Sequence, residues 1–237
     1  MKRLDGRTAI ITGANRGIGL AIARAYAREG ARCILAGRNR AALEHVAREI
    51  GNASVLTLDL AQPDSIHKAV RSLAAEHSRL DIFVANAAVL GARLPLAQYP
   101  LDVWIYTFQV NVHANLILLQ GLDPLLRRSE AGRVVILTSG VARRPKAAGG
   151  SYAITKAALE AMAAVYAAEV AGSPIRVNMV NPGPTRTQMR AQVAPGEDPM
   201  TVRTPEEIAP LFVELASPGC TRHAEWISAD AWVRDVR

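Results

Sequence analysis

Tyr152 and Lys156 stand four positions apart in an alanine-rich stretch, residues 151–171, that reads as a helix, so the two side chains share one face. A phenol ordinarily ionises near pH ~10, too high for easy proton exchange at neutrality, and a neighbouring ammonium lowers that value by favouring the phenolate. The spacing therefore predicts an acid–base pair with an unusually acidic Tyr152. A packing tyrosine and a solvated helix lysine give the same letters, so the pair gains weight only from its surroundings. Ser139 closes an apolar run, residues 134–138, that reads as a strand. Ligand chemistry gathers at the carboxyl ends of such strands, and a hydroxyl there can donate to a carbonyl or to the alkoxide formed from it. The alternative for Ser139 is a hydroxyl that merely closes the turn before Gly140. Asn111 falls inside a long helical segment, residues 101–126, where propensity disfavours an amide. It is either a satisfied buried amide or a residue with a use.

A second constellation lies near the N-terminus, where a first strand runs straight into Thr12-Gly13-Ala14-Asn15-Arg16-Gly17-Ile18-Gly19 and then a helix. Glycines let the backbone turn sharply and approach a pyrophosphate, and the helix start offers unpaired N–H groups to an anion. A strand-to-helix turn can need glycines for geometry alone, but the placement after strand one favours a dinucleotide. The end of strand two is more discriminating. An acidic residue there would hold an unphosphorylated ribose, whereas this chain reads Leu35-Ala36-Gly37-Arg38-Asn39-Arg40. Arg38 and Arg16 can neutralise and fork onto a 2′-phosphate, which favours NADP(H) over NAD(H). Two ordinary surface arginines in an arginine-rich chain remain the competing account. The chain has 4 lysines against 24 arginines, yet position 156 holds lysine. A compact ammonium fits between a phenol and ribose hydroxyls better than a planar guanidinium does.

The elements that must position these residues alternate from end to end. Residues 8–12, 33–36, 54–58, 82–85, 134–138, 175–180 and 226–229 read as seven strands, almost continuously apolar, as strands buried on both faces of a parallel sheet should be. Between them, residues 18–29, 39–50, 64–77, 101–126 and 151–171 read as amphipathic helices. Asn39 suits an N-cap, Gly30 and Gly51 suit helix ends, and Pro63 suits a first turn. Thr204-Pro205-Glu206-Glu207 combines an N-cap, a proline at the first position and a capping-box glutamate. The pattern predicts an α/β fold: one Rossmann-like domain over residues 1–237, a doubly wound seven-stranded parallel sheet with helices on both faces. Residues 181–203, rich in Pro, Gly and Thr, are the one long irregular stretch, and about 184–204 is expected to serve as a substrate loop.

Composition narrows the function classes. With 237 residues, half of them apolar, disorder is excluded and a full core is available. Cys33 and Cys220 have no metal or redox spacing and suit reduced thiols in a cytoplasmic protein. The five histidines show no metal-ligand spacing, so no metal is expected. No apolar run reaches membrane-spanning length and the first residues are too charged for a signal peptide, so no membrane partner is expected either. A net charge of +7 invites a nucleic-acid reading, but the cations are scattered and not interleaved with aromatics. An arginine-rich surface on an enzyme is the better account, with no nucleic-acid partner expected.

Taken jointly, these motifs resemble the classical short-chain dehydrogenase/reductase family over residues 7 to about 187. Thr12–Gly19 is similar to that family's cofactor turn, and Asp59-Leu60 to the acidic–hydrophobic pair that holds adenine. Asn86-Ala87 falls where the family's Asn-Asn-Ala-Gly follows strand four. Asn111, Ser139, Tyr152 and Lys156 match its catalytic positions, and Pro182-Gly183 through Thr185 and Thr187 match its nicotinamide-side loop. The resemblance implies hydride transfer between a nicotinamide and a small carbonyl or alcohol substrate. Tyr152 would be the proton donor, Ser139 would polarise the oxygen, Lys156 would tune Tyr152 and grip the ribose, and Asn111 would complete a water-mediated proton path. It further implies a homodimer or homotetramer built on the helices at 101–126 and 151–171.

Two departures stand out. Ala88 replaces the last glycine of the Asn-Asn-Ala-Gly motif, for which a packing adjustment is expected. The tail Trp226-Ile227-Ser228-Ala229-Asp230-Ala231-Trp232 lacks the glycine pair that usually follows the last strand, which leaves dimer and tetramer both open. Arg143, Arg144 and Lys146, between Ser139 and Tyr152, read either as contacts for an anionic substrate or as a solvated loop. The rival to an enzyme is a non-catalytic NADP-binding regulatory or interaction protein on the same fold. An intact Ser139, Tyr152 and Lys156 argue against it.

Overall fold

The computed structural model describes residues 2–236. Seven parallel strands form one sheet in the order β3-β2-β1-β4-β5-β6-β7. They are β1 (Thr8–Thr12), β2 (Arg32–Gly37), β3 (Ala53–Thr57), β4 (Ile82–Ala85), β5 (Arg133–Leu137), β6 (Arg176–Asn181) and β7 (Glu225–Ser228). Each lies within a residue or so of its expected place. Chain order reverses between β1 and β4, so a crevice opens at their carboxyl ends, where open α/β sheets bind ligands. β1, β4 and β5 are buried along their whole length, whereas β3 at the sheet edge is half exposed.

The period of two along each strand divides the core into two layers. Ala9 and Ile11 of β1 join Ile82 and Val84 of β4 on one face, beneath α1 (Gly17–Arg28), α2 (Arg40–Ile50), α8 (Pro205–Ala216) and α9 (Ala229–Val236). Ile10, Phe83 and Val134 point the other way, against α3 (Pro63–Glu76), α5 (Ala114–Leu126) and α6 (Gly150–Glu169). The caps are those the sequence predicts: the Asn39 side chain accepts from the Ala42 amide, and Thr204 with Glu207 forms a reciprocal capping box. Together such contacts satisfy N–H groups that the first turn of a helix leaves unpaired.

Three elements differ from expectation. The helix at 101–126 is continuous in sequence pattern but is divided into α4 (Leu101–Phe108), a π turn (Gln109–His113) and α5. Such turns insert one extra residue and concentrate at functional sites, and Asn111 sits inside this one. The stretch at 181–203 is not irregular throughout: it contains α7 (Gln188–Val193) and a short 3-10 turn, Pro199–Thr201. The tail, expected to end as a strand, turns at once into α9, whose Trp232 indole donates to Glu214 on α8 at 2.8 Å.

The amino-terminal edge of the sheet is held by buried charge. Arg133 at the start of β5 is 3 % exposed and donates to the carbonyls of Gly132, Pro174, Ser217, Pro218 and Cys220 at 2.6–3.2 Å. Asp81 accepts from the Thr8 amide at 2.9 Å and from Ser129 at 2.6 Å, joining β1 to β4, while Arg7 reaches the Asp81 and Ala131 carbonyls.

Candidate active site

A cleft of about 1420 Å³ runs along the carboxyl ends of the strands. Of the residues singled out from sequence, Gly13, Asn15, Arg16, Gly17, Ile18, Arg38, Asp59, Leu60, Asn86, Ala87, Ser139, Tyr152, Lys156, Pro182, Gly183, Thr185 and Thr187 line it. Gly19 and Asn111 lie behind its wall.

The glycine turn is built for close approach. Gly13 and Gly17 have φ of +68° and +55°, in the left-handed region that favours glycine. A Cβ on Gly19 would collide with the Gly13 carbonyl oxygen and lie 2.6 Å from the Asn86 amide nitrogen. That amide donates to the Thr12 carbonyl at 2.7 Å, and the Thr12 hydroxyl accepts from the Asn86 and Ala87 amides at 3.0 Å. Asn86 thus braces the turn from β4. Arg16, at the N-cap of α1, makes no side-chain cap, so the helix presents its first N–H groups unsatisfied at the cleft. The cradle, the bare helix start and the cations Arg16 and Arg38 fit a phosphorylated dinucleotide.

The reacting end gathers on β5 and α6. Tyr152 and Lys156 lie on one face of α6, with the Lys156 ammonium 5.8 Å from the centre of the Tyr152 ring. That ammonium is buried and donates to the Leu137 carbonyl at 2.7 Å, at the end of β5. Ser139 follows two residues later and lines the cleft with Tyr152, near enough for its hydroxyl to act on the phenol. The electrostatics differ from the expected picture. Burial pushes the Tyr152 phenol above its ordinary pKa, and the nearby Ser139 hydroxyl only partly opposes this. The Lys156 ammonium is turned to the Leu137 carbonyl and is itself destabilised: burial brings its pKa down to about 8, against a raising contribution from Glu160.

Asn111 is fully committed. Its amide exchanges hydrogen bonds with the main chain of Val89 at 2.9 Å in both directions and donates to Thr155 at 3.0 Å, so it ties the loop after β4 to α6 one residue before Lys156. Its own carbonyl accepts from the Asn115 side chain at 2.9 Å.

The three loop cations separate. Arg143 pairs with Glu160 at 2.9 Å and stacks over Trp226, 4.4 Å from the ring centre, whereas Arg144 and Lys146 line the cleft. Above the cleft, α7 is clipped at both ends, by Arg16 to Gln188 and by Arg93 to the Val193 carbonyl at 2.7 Å. Among the described residues no helix is long and apolar enough to cross a membrane, and no cluster of three His, Cys, Asp or Glu could hold a metal.

Sequence reasoning passed over several residues. Asn181 accepts from the Gly140 and Gly183 amides at 3.0 and 3.1 Å, joining the ends of β5 and β6. Asp230, at the start of α9, lines the cleft beside Gly183 and pairs with Arg203. Glu160 accepts from Thr138 and Trp226 at 2.6 and 2.8 Å. The one available signal was for Glu160, an acid four positions after Lys156 in the middle of an alanine-rich helix.

Known proteins agree with this architecture. Residues 7–198 match the short chain dehydrogenase family. An Escherichia coli K12 protein described as the uncharacterised oxidoreductase YciK is 40% identical over 219 residues, covering 90% of this chain and 86% of its own. A short-chain dehydrogenase from Shigella flexneri, solved in complex with NADP, superposes with a TM-score of 0.92 at 37% identity, over 97% of this chain and 99% of the other. One from Escherichia coli CFT073, in complex with NADPH, gives 0.91 at 38% identity over 96% and 98%. A sheet order, a glycine turn and a family match that coincide over most of the length admit one placement: the chain is an oxidoreductase-fold protein belonging to the short-chain dehydrogenase family.

Proposed function

We propose that the chain, acting as one domain, is an NADP(H)-dependent oxidoreductase that interconverts a carbonyl and an alcohol. The observation that carries the reading is that Ser139 and Tyr152 meet in the cleft, with the Lys156 ammonium buried on the same helix face. Gly13, Gly17, Ile18 and the start of α1 would hold the pyrophosphate, and Arg16, Asn15 and Arg38 the phosphorylated ribose. Asp59 and Leu60 would flank the adenine. Asn86 and Ala87 would form the floor, and Pro182, Gly183, Thr185 and Thr187 the nicotinamide side. NADPH, when bound there, supplies the hydride.

The remaining chemistry belongs to the chain. Ser139 donates to the carbonyl oxygen and polarises it. Tyr152 gives its proton to the developing alkoxide, which is far more basic than a phenolate. Burial raises the phenol's pKa, so its proton is present at neutral pH but harder to release, and the transfer is driven by the basicity of the alkoxide. Lys156 supplies positive charge behind the phenol and a donor for ribose hydroxyls. Asn111, through Thr155, positions the helix that carries both, and the second lone pair of its carbonyl is the acceptor it could offer to a water in the proton path. Leu101, Ile105, Leu116 and Val165 are exposed on α4, α5 and α6, which supports a homodimer or homotetramer through those helices. Two free cysteines accord with a cytoplasmic setting.

The test is a carbonyl panel followed by nicotinamide absorbance, with NADPH and NADH binding compared. Tyr152→Phe should lower kcat by about 10²–10⁴-fold while leaving NADPH affinity nearly unchanged. Full activity in that variant refutes the assignment. Binding of NADPH without reduction of any carbonyl would instead identify a non-catalytic dinucleotide-binding protein.

A further inference from the structure

The end of β5, the loop after it and β7 converge on one carboxylate of α6. Glu160 lies on α6, one turn beyond Lys156, and its side chain is only 12 % exposed. One oxygen accepts from the Thr138 hydroxyl at 2.6 Å and from the Trp226 indole on β7 at 2.8 Å; the other pairs with Arg143 at 2.9 Å. Thr138 is the residue before Ser139, and Arg143 opens the loop whose next cations face the cleft. The Lys156 ammonium is fixed on the Leu137 carbonyl, directly before Thr138. Two of the charges of α6, Lys156 and Glu160, therefore hold adjacent residues at the end of one strand.

We propose that Glu160 is a positioning residue for the proposed reduction: it fixes the end of β5 and the loop after it against α6, and one helical turn from Lys156 it presents a carboxylate to the buried amine. The inference rests on the reductase reading above. A carboxylate is suited to this place because it can accept from a hydroxyl, an indole and a guanidinium at once, whereas an amide keeps the first two bonds and loses the charge. The charged and titratable groups facing Lys156 are Glu160 and Tyr152, and those facing Glu160 are Lys156 and Arg143. Glu160 raises the amine's proton affinity against the pull of burial. Removing that charge lets the proton leave at lower pH. Removing Arg143 frees more of the carboxylate's field for Lys156 and works in the opposite direction.

The experiment follows Lys156 in two ways. With only 4 lysines in the chain, isotope-labelled lysine gives a spectrum in which the Lys156 signal can be assigned by its loss in Lys156→Met and then titrated. In parallel, the pH profile of kcat is measured for NADPH-dependent reduction. In Glu160→Gln the Lys156 midpoint should fall by about one pH unit and the alkaline limb of kcat should fall with it. In Arg143→Gln, which keeps Glu160 and serves if the first variant does not fold, both should rise. A midpoint and limb unchanged in either folded variant, with only a uniform drop in rate, would overturn the proposal. If no variant reduces a carbonyl yet the Lys156 midpoint moves as stated, the reductase reading fails and the hold of Glu160 on Lys156 stands.

Discussion

Replacing Lys156 with methionine removes an ammonium that is 3 % exposed and whose pKa burial lowers from 10.5 to about 8. Below pH 8 the amine is charged in both the folded and the unfolded chain, so the folded protein carries the whole cost of desolvating it. As pH rises past 8 the folded protein releases the proton first, and the cost is relieved until the unfolded chain follows near 10.5. Stability contributed at this position therefore rises with pH across that window. Integrating a shift of this size between pH 7 and pH 10 gives a gain of about 2–3 kcal/mol for the native protein relative to Lys156→Met. The buried Tyr26 and Tyr166, whose pKa values burial raises, are present in both proteins and cancel in the comparison. Urea unfolding at pH 7, 8.5 and 10 reads the difference, and with a slope of about 2–3 kcal/mol per molar the gap between midpoints should change by about 1 M. Parallel pH dependence of the two proteins would show that the amine is not held in a low-dielectric setting, and the acid–base reading of the cleft would lose its cation.

Two further substitutions probe the frame around the site. Arg133→Met should cost about 3–5 kcal/mol in unfolding free energy while leaving kcat per folded molecule unchanged, because it strands five carbonyls far from the cleft. A calorimetric scan within 1 °C of the native protein contradicts this. Gly19→Ala places a methyl against the Gly13 carbonyl and the Asn86 amide, so NADPH affinity measured by fluorescence titration should weaken by about tenfold or more. Native-like affinity would mean that the turn is not a phosphate cradle.

The strands were legible because buried parallel strands are near-continuous apolar runs, and the caps at Asn39 and Thr204 because their chemistry is local. The residues gathered along the cleft were legible for a related reason: most follow the end of a strand, Tyr152 and Lys156 share a face by helix spacing, and the fold brings strand ends together. What escaped depends on distant partners. The π turn at Gln109–His113 leaves the hydrophobic pattern of its helix intact, so nothing local announces it. α9 is short and follows β7 without a break signal. The sign of the Tyr152 shift was misjudged because the helix spacing gives proximity to Lys156 but not the Leu137 carbonyl that holds the amine, nor the depth of burial. Asn181, Asp230 and Glu160 act only through contacts with other elements.

Arg133 carries its guanidinium into the sheet margin with no carboxylate among its partners, and burial beside Arg7 and Arg176 lowers its pKa to about 10. Oriented carbonyl dipoles balance that charge, and a passing polyanion meets little of it. Chromatographic retention on an ion exchanger senses the accessible skin of a molecule. It will therefore under-report the formal excess of +7, because part of this protein's basicity is mortar and not façade.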